Sequence, residues 1–150
     1  MTIEKYNNAH HVDVHNIFKQ YFNDPEFLSE LDESLKDSEA IFYVLTEYRD
    51  VISVVGVRKV TNYLLEHAKT ENPLELYIIA SKYKGAGAGS KLCDFIIKEA
   101  KFLGYTEIIC YSPETHETSW KFYEHIGFVS GGIVNDPDDG YPGMLWRKVL

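Results

Sequence analysis

Residues 74–90 read LELYIIASKYKGAGAGS, and this stretch decides the fold. The apolar run Leu74–Ala80 predicts a strand, and the nine-residue loop SKYKGAGAG follows it. A helix is predicted next, because apolar residues recur at helical spacing at Leu92, Phe95, Ile96, Ala100 and Leu103. The run Glu107–Tyr111 predicts another strand. A strand, loop, helix and strand in this order indicate a right-handed parallel crossover.

The segments around this unit predict helices before it and antiparallel strands on both sides. A weak strand signal lies at residues 2–6, apolar residues recur at helical spacing from Val14 to Phe22, and Asp24 with Pro25 indicates the start of a second helix. Two strands are predicted at Ala40–Thr46 and Val51–Val60 with a four-residue turn between them, a last helix at about Glu117–Ile126, and two more strands in residues 128–150.

These elements predict an α/β (α+β) fold. Its sheet is mixed, mostly antiparallel and six- to seven-stranded, it is flanked by about four helices, and it contains the central parallel strand-loop-helix-strand unit. No linker, repeat or low-complexity segment interrupts the 150 residues, so a single domain over residues 1–150 is expected.

The composition narrows the classes of function. There are 15 Lys and Arg against 23 Asp and Glu, and the resulting net charge of -8 repels nucleic acid and anionic membranes. The first residues, MTIEKYNNAHH, lack the apolar core of a signal peptide, so a cytoplasmic protein is expected. Cys93 and Cys110 stand among apolar neighbours and outside any zinc-binding spacing, which predicts buried free thiols and no metal site.

The glycine loop has the properties of a phosphate site. Three alternating glycines between a strand and a helix let the backbone approach a ligand, and the N–H groups and dipole of a helix N-terminus favour an anion. A flexible turn is the alternative interpretation. A Walker loop starting at Gly85 and a dinucleotide fingerprint starting there both require glycine where Ser90 stands, so neither motif fits.

A third pattern matches. Tyr83-Lys84-Gly85-Ala86-Gly87-Ala88-Gly89 resembles the R/Q-x-x-G-x-G/A loop of the GNAT superfamily of N-acetyltransferases, with Lys84 in the place of Arg or Gln. Downstream, Ser119–Phe128 (SWKFYEHIGF) is similar to the family's second signature, a helix ending in "FYEKxGF". The two signatures have the order and separation that the family shows. The resemblance covers nearly the whole chain and implies the acyl-CoA N-acyltransferase fold.

The resemblance implies an acetyl-coenzyme A site. In the family, the loop wraps the pyrophosphate, which implies cofactor-binding backbone groups at Lys84, Gly85, Ala86, Gly87, Ala88, Gly89 and Ser90. The preceding strand is splayed in the family, so backbone groups of Ile78, Ile79 and Ala80 would pair with the pantetheine arm and donate to the thioester oxygen. His116 stands where many members have an Asn that contacts the cofactor; a surface histidine is the alternative.

Two side chains are implied in the chemistry. Tyr123 matches the family's tyrosine that protonates the departing thiolate, whereas packing on the inner face of its helix is the structural alternative. Glu75 resembles the glutamate of the family's "LEDLYV" strand and is a candidate general base. The alternative for Glu75 is a solvent-facing residue of an alternating strand.

The resemblance leads to one main function and two alternatives. The chain is expected to move an acetyl group from acetyl-coenzyme A to a primary amine in a ternary complex. Acidic residues at positions 24–39 and at Asp136, Asp138 and Asp139 favour a small cationic amine or a peptide amine as acceptor. A solvated helix face and a turn are the alternative interpretation of these residues. A homodimer follows from the family's habit only. The alternatives are a catalytically silent acyl-coenzyme A sensing domain and a different nucleotide-binding module.

Overall fold

The computed structural model of the chain describes residues 1–37, 39–138 and 140–150, apart from the side chains of residues 117 and 118. Within these residues there are seven strands and four α-helices. The strands are β1 (Thr2–Lys5), β2 (Ala40–Glu47), β3 (Asp50–Lys59), β4 (Pro73–Ser81), β5 (Glu107–Pro113), β6 (Val129–Asn135) and β7 (Pro142–Val149). The helices are α1 (His11–Tyr21), α2 (Pro25–Ser34), α3 (Ala88–Phe102) and α4 (Glu117–His125). Short 3₁₀ turns lie at Asn8–His10, Tyr63–His67 and Glu114–His116.

The strands form one open sheet. Across the described residues its order is β1-β2-β3-β4-β5-β7-β6, mostly antiparallel, with β4 and β5 as the parallel pair. This confirms the predicted fold class, including the parallel crossover through α3, and it gives seven strands where six or seven were expected.

The chain divides into two compact units. The first comprises Met1–Arg58 and Ile78–Phe95, and the second comprises Lys59–Tyr77 and Ile96–Leu150. Each unit has its own buried apolar side chains. The assignment of residues 1–150 to a single domain stays a prediction.

The helices of the first unit follow their sequence signals. Asp24 accepts the Glu26 N–H at 3.0 Å and Pro25 is the first residue of α2, as its cap predicts. Val14, Ile17 and Phe18 are buried on one face of α1. Phe22 adopts an extended conformation and caps α1. The predicted helical stripe therefore extends one residue too far.

The hairpin of the first unit is tighter than predicted. Glu47 at the end of β2 pairs with Asp50 at the start of β3, which leaves a two-residue turn in place of four residues. Tyr48 and Arg49 both have positive φ, of 51° and 71°. This is the backbone twist that a two-residue hairpin requires, although neither residue is the Gly or Asn that usually supplies it.

The second unit contains the pairing of β5 with β7 and of β7 with β6. The two strands predicted in residues 128–150 are thereby confirmed. One face of this region packs as a cluster of Val60, Leu64, Ile109 and Leu145. Because β5 alternates, Ile109 and Cys110 project to opposite faces of the sheet. That alternation decides which side chains can meet Tyr123.

The helix after the glycine loop buries most of its predicted apolar stripe, but the prediction for Leu103 is wrong. Leu92, Ile96 and Ala100 are buried, whereas Leu103 is 57% exposed. Leu103 is the first residue after α3; its N–H still donates to the Glu99 carbonyl at 2.9 Å, but its side chain at the helix end is left exposed.

Candidate functional site

The glycine loop connects β4 to α3 in the first unit. It spans residues 82–87, shorter than the predicted nine-residue loop because Ser81 belongs to β4 while Ala88 and Gly89 belong to the first turn of α3. Gly85 and Gly87 have φ of 75° and 82°, a region that side-chain-bearing residues rarely adopt. A Cβ added to either glycine would meet no described atom within 4 Å. Glycine is therefore required by the backbone conformation rather than by crowding.

The start of α3 has the electrostatics of an anion site. The first N–H groups of a helix have no acceptor within it, and the dipole adds partial positive charge. The Gly87 carbonyl accepts the Lys91 N–H at 3.1 Å, which is the first bond of the helix. No acidic side chain lies in the first turn, all of whose residues are described. The predicted loop residues Lys84–Ser90 thus surround a helix N-terminus that suits a phosphate group.

The strand before the loop pairs with β5 over its first three residues only. The parallel register of β4 with β5 runs from Pro73↔Glu107 to Glu75↔Ile109, and residues 76–81 lie beyond it. Ile78 and Ala80 are buried and Ile79 is half-buried. The Ala80 carbonyl accepts the Ser53 hydroxyl at 3.0 Å. The assignment of these three backbone positions to pantetheine binding stays a prediction.

Tyr123 lies on α4 in the second unit. Its side chain is 5% exposed, and its ring centroid is 5.8 Å from that of Phe128 and 6.0 Å from that of Trp146. The phenol also shares a hydrogen bond with the Cys110 thiol. Cys110 and Trp146 are backbone partners in the β5–β7 ladder, so both project to the face on which Tyr123 packs. The Tyr123 side chain thus packs in the apolar surroundings of Phe128 and Trp146, beside the Cys110 thiol.

Cys110 is a buried free thiol, and so is Cys93, as predicted. The pKa of the Cys110 thiol is raised to about 12; burial is the largest cause, the hydrogen bond with Tyr123 opposes the rise, and the Glu75 charge adds to it. The thiol therefore stays protonated near neutral pH.

A reactivity measurement checks this thiol. In a Cys93→Ala variant, Cys110 is the remaining cysteine, and its thiolate fraction at pH 8 is expected to be about a thousandfold below that of a thiol with pKa 9. Iodoacetamide should therefore modify the native variant far more slowly than the urea-unfolded one. Equal rates in the two states would contradict the raised pKa.

Glu75 is buried, which excludes the solvent-facing alternative. Its side chain is 6% exposed, and its Oε1 accepts the Asn62 side-chain N–H at 3.2 Å. Its register partner is Ile109, so Glu75 projects to the Ile109 face, whereas Cys110 and Tyr123 occupy the other face. The Glu75 carboxylate on β4 and the Tyr123 phenol, which packs beside Cys110 of β5, thus lie on opposite faces of the sheet.

The other predicted side chains lie at element ends. His116 closes a 3₁₀ turn and is the N-cap residue of α4. Asp136 shapes a turn, since its Oδ1 accepts the Asp138 N–H at 2.9 Å and its carbonyl accepts the Gly140 N–H at 2.7 Å. Asp139 lies outside the described residues. Neither the cofactor role of His116 nor the acceptor role of these aspartates is tested by this geometry.

A buried ion pair in the second unit was missed by sequence reasoning. Arg147 Nε donates to Glu107 Oε2 at 2.8 Å, and Arg147 Nη2 donates to the His67 carbonyl. Glu107 Oε1 accepts the backbone N–H groups of Lys69 and Thr70, each at 2.8 Å. The available signal was a glutamate at the start of an apolar strand and an arginine near the end of another. Neither position indicates its partner 40 residues away.

The described residues contain neither a metal-binding cluster nor a membrane-spanning helix. No group of three or more His, Cys, Asp or Glu in that part of the chain is arranged to hold a metal ion. None of the helices in the same residues combines the length and apolarity that crossing a membrane requires. The two histidines that lie one turn apart on α1 each have a polar neighbour: His11 Nδ1 lies 3.2 Å from the Tyr6 hydroxyl, and His15 Nδ1 lies 3.0 Å from Asp32 Oδ1.

Comparison with known proteins gives a sequence match to a family. The family described as "Acetyltransferase (GNAT) family" matches residues 11–128 of this chain. A search of curated proteins finds no match.

Solved structures give the same fold at low identity. A protein assigned to the GNAT family of acetyltransferases, from Desulfovibrio desulfuricans, has a TM-score of 0.83 and 16% identity, and the match covers 99% of this chain and 98% of that one. NAA60 from Arabidopsis thaliana, in complex with acetyl-CoA, has a TM-score of 0.75 and 8% identity over 99% and 98% of the two chains. An aminoglycoside 6'-N-acetyltransferase from Enterococcus faecium has a TM-score of 0.71 and 14% identity over 99% and 97%.

Proposed function

Because the chain belongs to the acetyltransferase (GNAT) family and is an acetyltransferase, we propose that it moves an acetyl group from acetyl-coenzyme A to a primary amine by direct transfer. The observation that carries this proposal is the glycine loop at the N-terminus of α3. Its positive-φ glycines and its first turn, which has no acidic residue, suit a pyrophosphate. The crystal structure of NAA60 contains acetyl-CoA, which agrees with this choice of donor.

The binding roles follow the elements of the first unit. The backbone N–H groups at Gly85–Ser90 hold the pyrophosphate, and Lys84 adds positive charge at the start of the loop. Backbone groups of Ile78, Ile79 and Ala80 hold the pantetheine arm, and one N–H among them donates to the thioester oxygen. Such a donor is worth about 3 kcal/mol in the transition state, because negative charge develops on that oxygen. His116 is the remaining proposed contact with the coenzyme.

Tyr123 is the proposed general acid. When the amine attacks the thioester carbon, a C–N bond forms, the C–S bond breaks and its electron pair goes to sulfur. The Tyr123 hydroxyl gives its proton to that sulfur. A phenol suits this step, because its ordinary pKa of about 10 keeps it protonated at pH 7 and close in basicity to a thiolate. The hydrogen bond between the Tyr123 hydroxyl and the Cys110 thiol, and the packing of the ring against Phe128 and Trp146, support the role by fixing where the side chain lies.

Glu75 is the proposed general base. The amine must lose a proton around the time of attack, and the Glu75 carboxylate accepts it. Its burial and the hydrogen bond from Asn62 hold the carboxylate in a defined orientation. Proton removal from the amine and proton donation to the sulfur are thereby assigned to two different groups.

The proposed acceptor is a small cationic amine, and a peptide amine is the second choice. The net charge of -8 and the acidic segments at positions 24–39 and 136–139 attract cations. An aminoglycoside acetyltransferase among the similar structures fits a small polyamine acceptor. A cytoplasmic location, a homodimer and the absence of nucleic-acid or membrane partners remain predictions of the sequence.

A thiol-release assay tests the proposed function. The purified chain is mixed with acetyl-CoA and a panel of polyamines, aminoglycosides and peptides with free N-termini, and liberated CoA is measured with a thiol reagent. Release that depends on both the amine and the enzyme is expected. Tight binding of acetyl-CoA without release by any amine would instead support the silent sensing domain. Protection against melting by ATP or NAD, with none by CoA, would support a different nucleotide-binding module.

The loop conformation predicts the effect of Gly87→Ala. Holding alanine at a φ of 82° costs about 1 kcal/mol or more, so CoA binding is expected to weaken about five- to tenfold as the loop shifts to relieve the strain. Gly104→Ala is the matched control, because Gly104 has a φ of 89°, equally open surroundings and a position at the other end of α3. Titration calorimetry with CoA separates the two variants. Equal losses of affinity in both would contradict the assignment of the loop.

A further inference from the structure

The last turn of α1 contacts the base of the glycine loop in the first unit. The Tyr21 hydroxyl donates to the Ser81 carbonyl. The neighbouring Gln20 side-chain N–H donates to the next carbonyl, that of Lys82, at 3.4 Å. Consecutive residues of one helix thus hold consecutive carbonyls at the point where β4 ends.

The same segment is held from β3. Ser53 Oγ lies 2.8 Å from Ser81 Oγ and donates to the Ala80 carbonyl at 3.0 Å, while the Lys82 N–H donates to the Ile52 carbonyl at 2.8 Å. Residues 80–82 are therefore fixed on two sides, whereas residues 82–87 of the loop are exposed. The positions of the loop N–H groups depend on this fixed base.

Tyr21 also contacts a cation of the loop, Lys84. Lys84 Nζ lies 5.5 Å from the centroid of the Tyr21 ring, within the range of a cation–π interaction. The Lys84 side chain is exposed, so without this contact its four-carbon stem would sample many directions. Burial raises the pKa of Tyr21, and the hydrogen bond to Ser81 opposes that rise. The hydroxyl therefore remains a donor.

We propose that Tyr21 is a positioning residue for pyrophosphate recognition, because it fixes the carbonyl at the base of the loop and orients the Lys84 ammonium with its ring. This inference rests on the proposed function, since the pyrophosphate is that of acetyl-CoA. One side chain prepares two parts of the anion site before the ligand arrives. Preorganisation of this kind lowers the ordering cost of binding.

Two variants separate the two contacts. Tyr21→Phe removes the hydroxyl and keeps the ring, whereas Tyr21→Leu removes both. CoA affinity, measured by titration calorimetry, is expected to fall about threefold to tenfold for Tyr21→Phe and about tenfold to thirtyfold for Tyr21→Leu. Tyr6→Phe is the control, because it removes a phenol hydroxyl of the same unit that lies 3.2 Å from His11 Nδ1. Its CoA affinity is expected to match that of the wild type.

A ligand without pyrophosphate distinguishes positioning from a general structural role. The value of kcat/KM with S-acetylpantetheine as donor is expected to change less than twofold in both Tyr21 variants, since that donor has no anion for the loop to hold. Lys84→Met completes a double-mutant cycle with Tyr21→Leu. The Tyr21→Leu substitution should cost less CoA affinity in the Lys84→Met background than in the wild-type background, because the Tyr21 ring then has no ammonium group to orient. Circular dichroism at the assay temperature confirms that each variant is folded.

The outcomes separate this inference from the proposed function. A wild-type chain that binds CoA, with Tyr21→Phe and Tyr21→Leu binding it equally well, would overturn the inference and leave the function intact. Equal losses with CoA and S-acetylpantetheine would also overturn it, because the effect would then not depend on pyrophosphate. A wild-type chain that binds no CoA would overturn the function and the inference together.

Discussion

Replacing Tyr123 by Phe is expected to lower kcat about 10²- to 10³-fold while the affinity for acetyl-CoA changes less than threefold. The ring packing against Phe128 and Trp146 is kept in the variant, so the loss comes from the missing hydroxyl. Without that hydroxyl, no proton is delivered to the sulfur as the C–S bond breaks. Steady-state kinetics with the best amine of the thiol-release panel measure kcat, and calorimetry measures the affinity.

Tyr111→Phe is the matched control for this prediction. It also removes a phenol hydroxyl in the second unit, one that donates to the Tyr141 carbonyl at 2.7 Å. Its kcat should stay within a fewfold of the wild type. A Tyr123→Phe enzyme with wild-type turnover would remove the acid assignment, and equal losses in both variants would indicate a structural effect.

Replacing Arg147 by Met is expected to destabilise the fold by about 3–5 kcal/mol. The Glu107 side chain is 0% exposed, and Arg147 is its ion-pair partner at 2.8 Å. Methionine fills much of the same volume but leaves the carboxylate buried without a cation. The N–H groups of Lys69 and Thr70 would still donate to Glu107, so folding is weakened rather than abolished. Urea unfolding at pH 7, followed by circular dichroism, measures the change.

A double variant tests the cause of that loss. Arg147→Met combined with Glu107→Gln removes the buried charge and should recover about half of the lost stability, because a neutral amide is cheaper to bury than an unpaired carboxylate. A loss below about 1 kcal/mol in the single variant would mean that the pair contributes as little as an exposed salt bridge. No recovery in the double variant would assign the loss to packing.

Local sequence signals predicted most element boundaries. Asp24 and Pro25 determine the start of α2 by their own chemistry, an acceptor for free N–H groups and a ring with a helical φ. The hairpin turn was predicted two residues too long, because Tyr48 and Arg49 adopt a conformation that their residue types do not favour. Leu103 was predicted to lie on the buried face of α3, but it follows the last residue of that helix and its side chain is exposed.

The sequence alone determined the parallel crossover, the glycine loop and the family resemblance, because these depend on residues close together in the chain. Only the tertiary structure decided that Glu75 is buried with Asn62, that Tyr123 meets Cys110, and that Glu107 pairs with Arg147. Strand register determines these contacts. A shift by one residue would turn the strand residues among them, Glu75, Cys110, Glu107 and Arg147, to the other face, and no local pattern specifies register between strands distant in sequence.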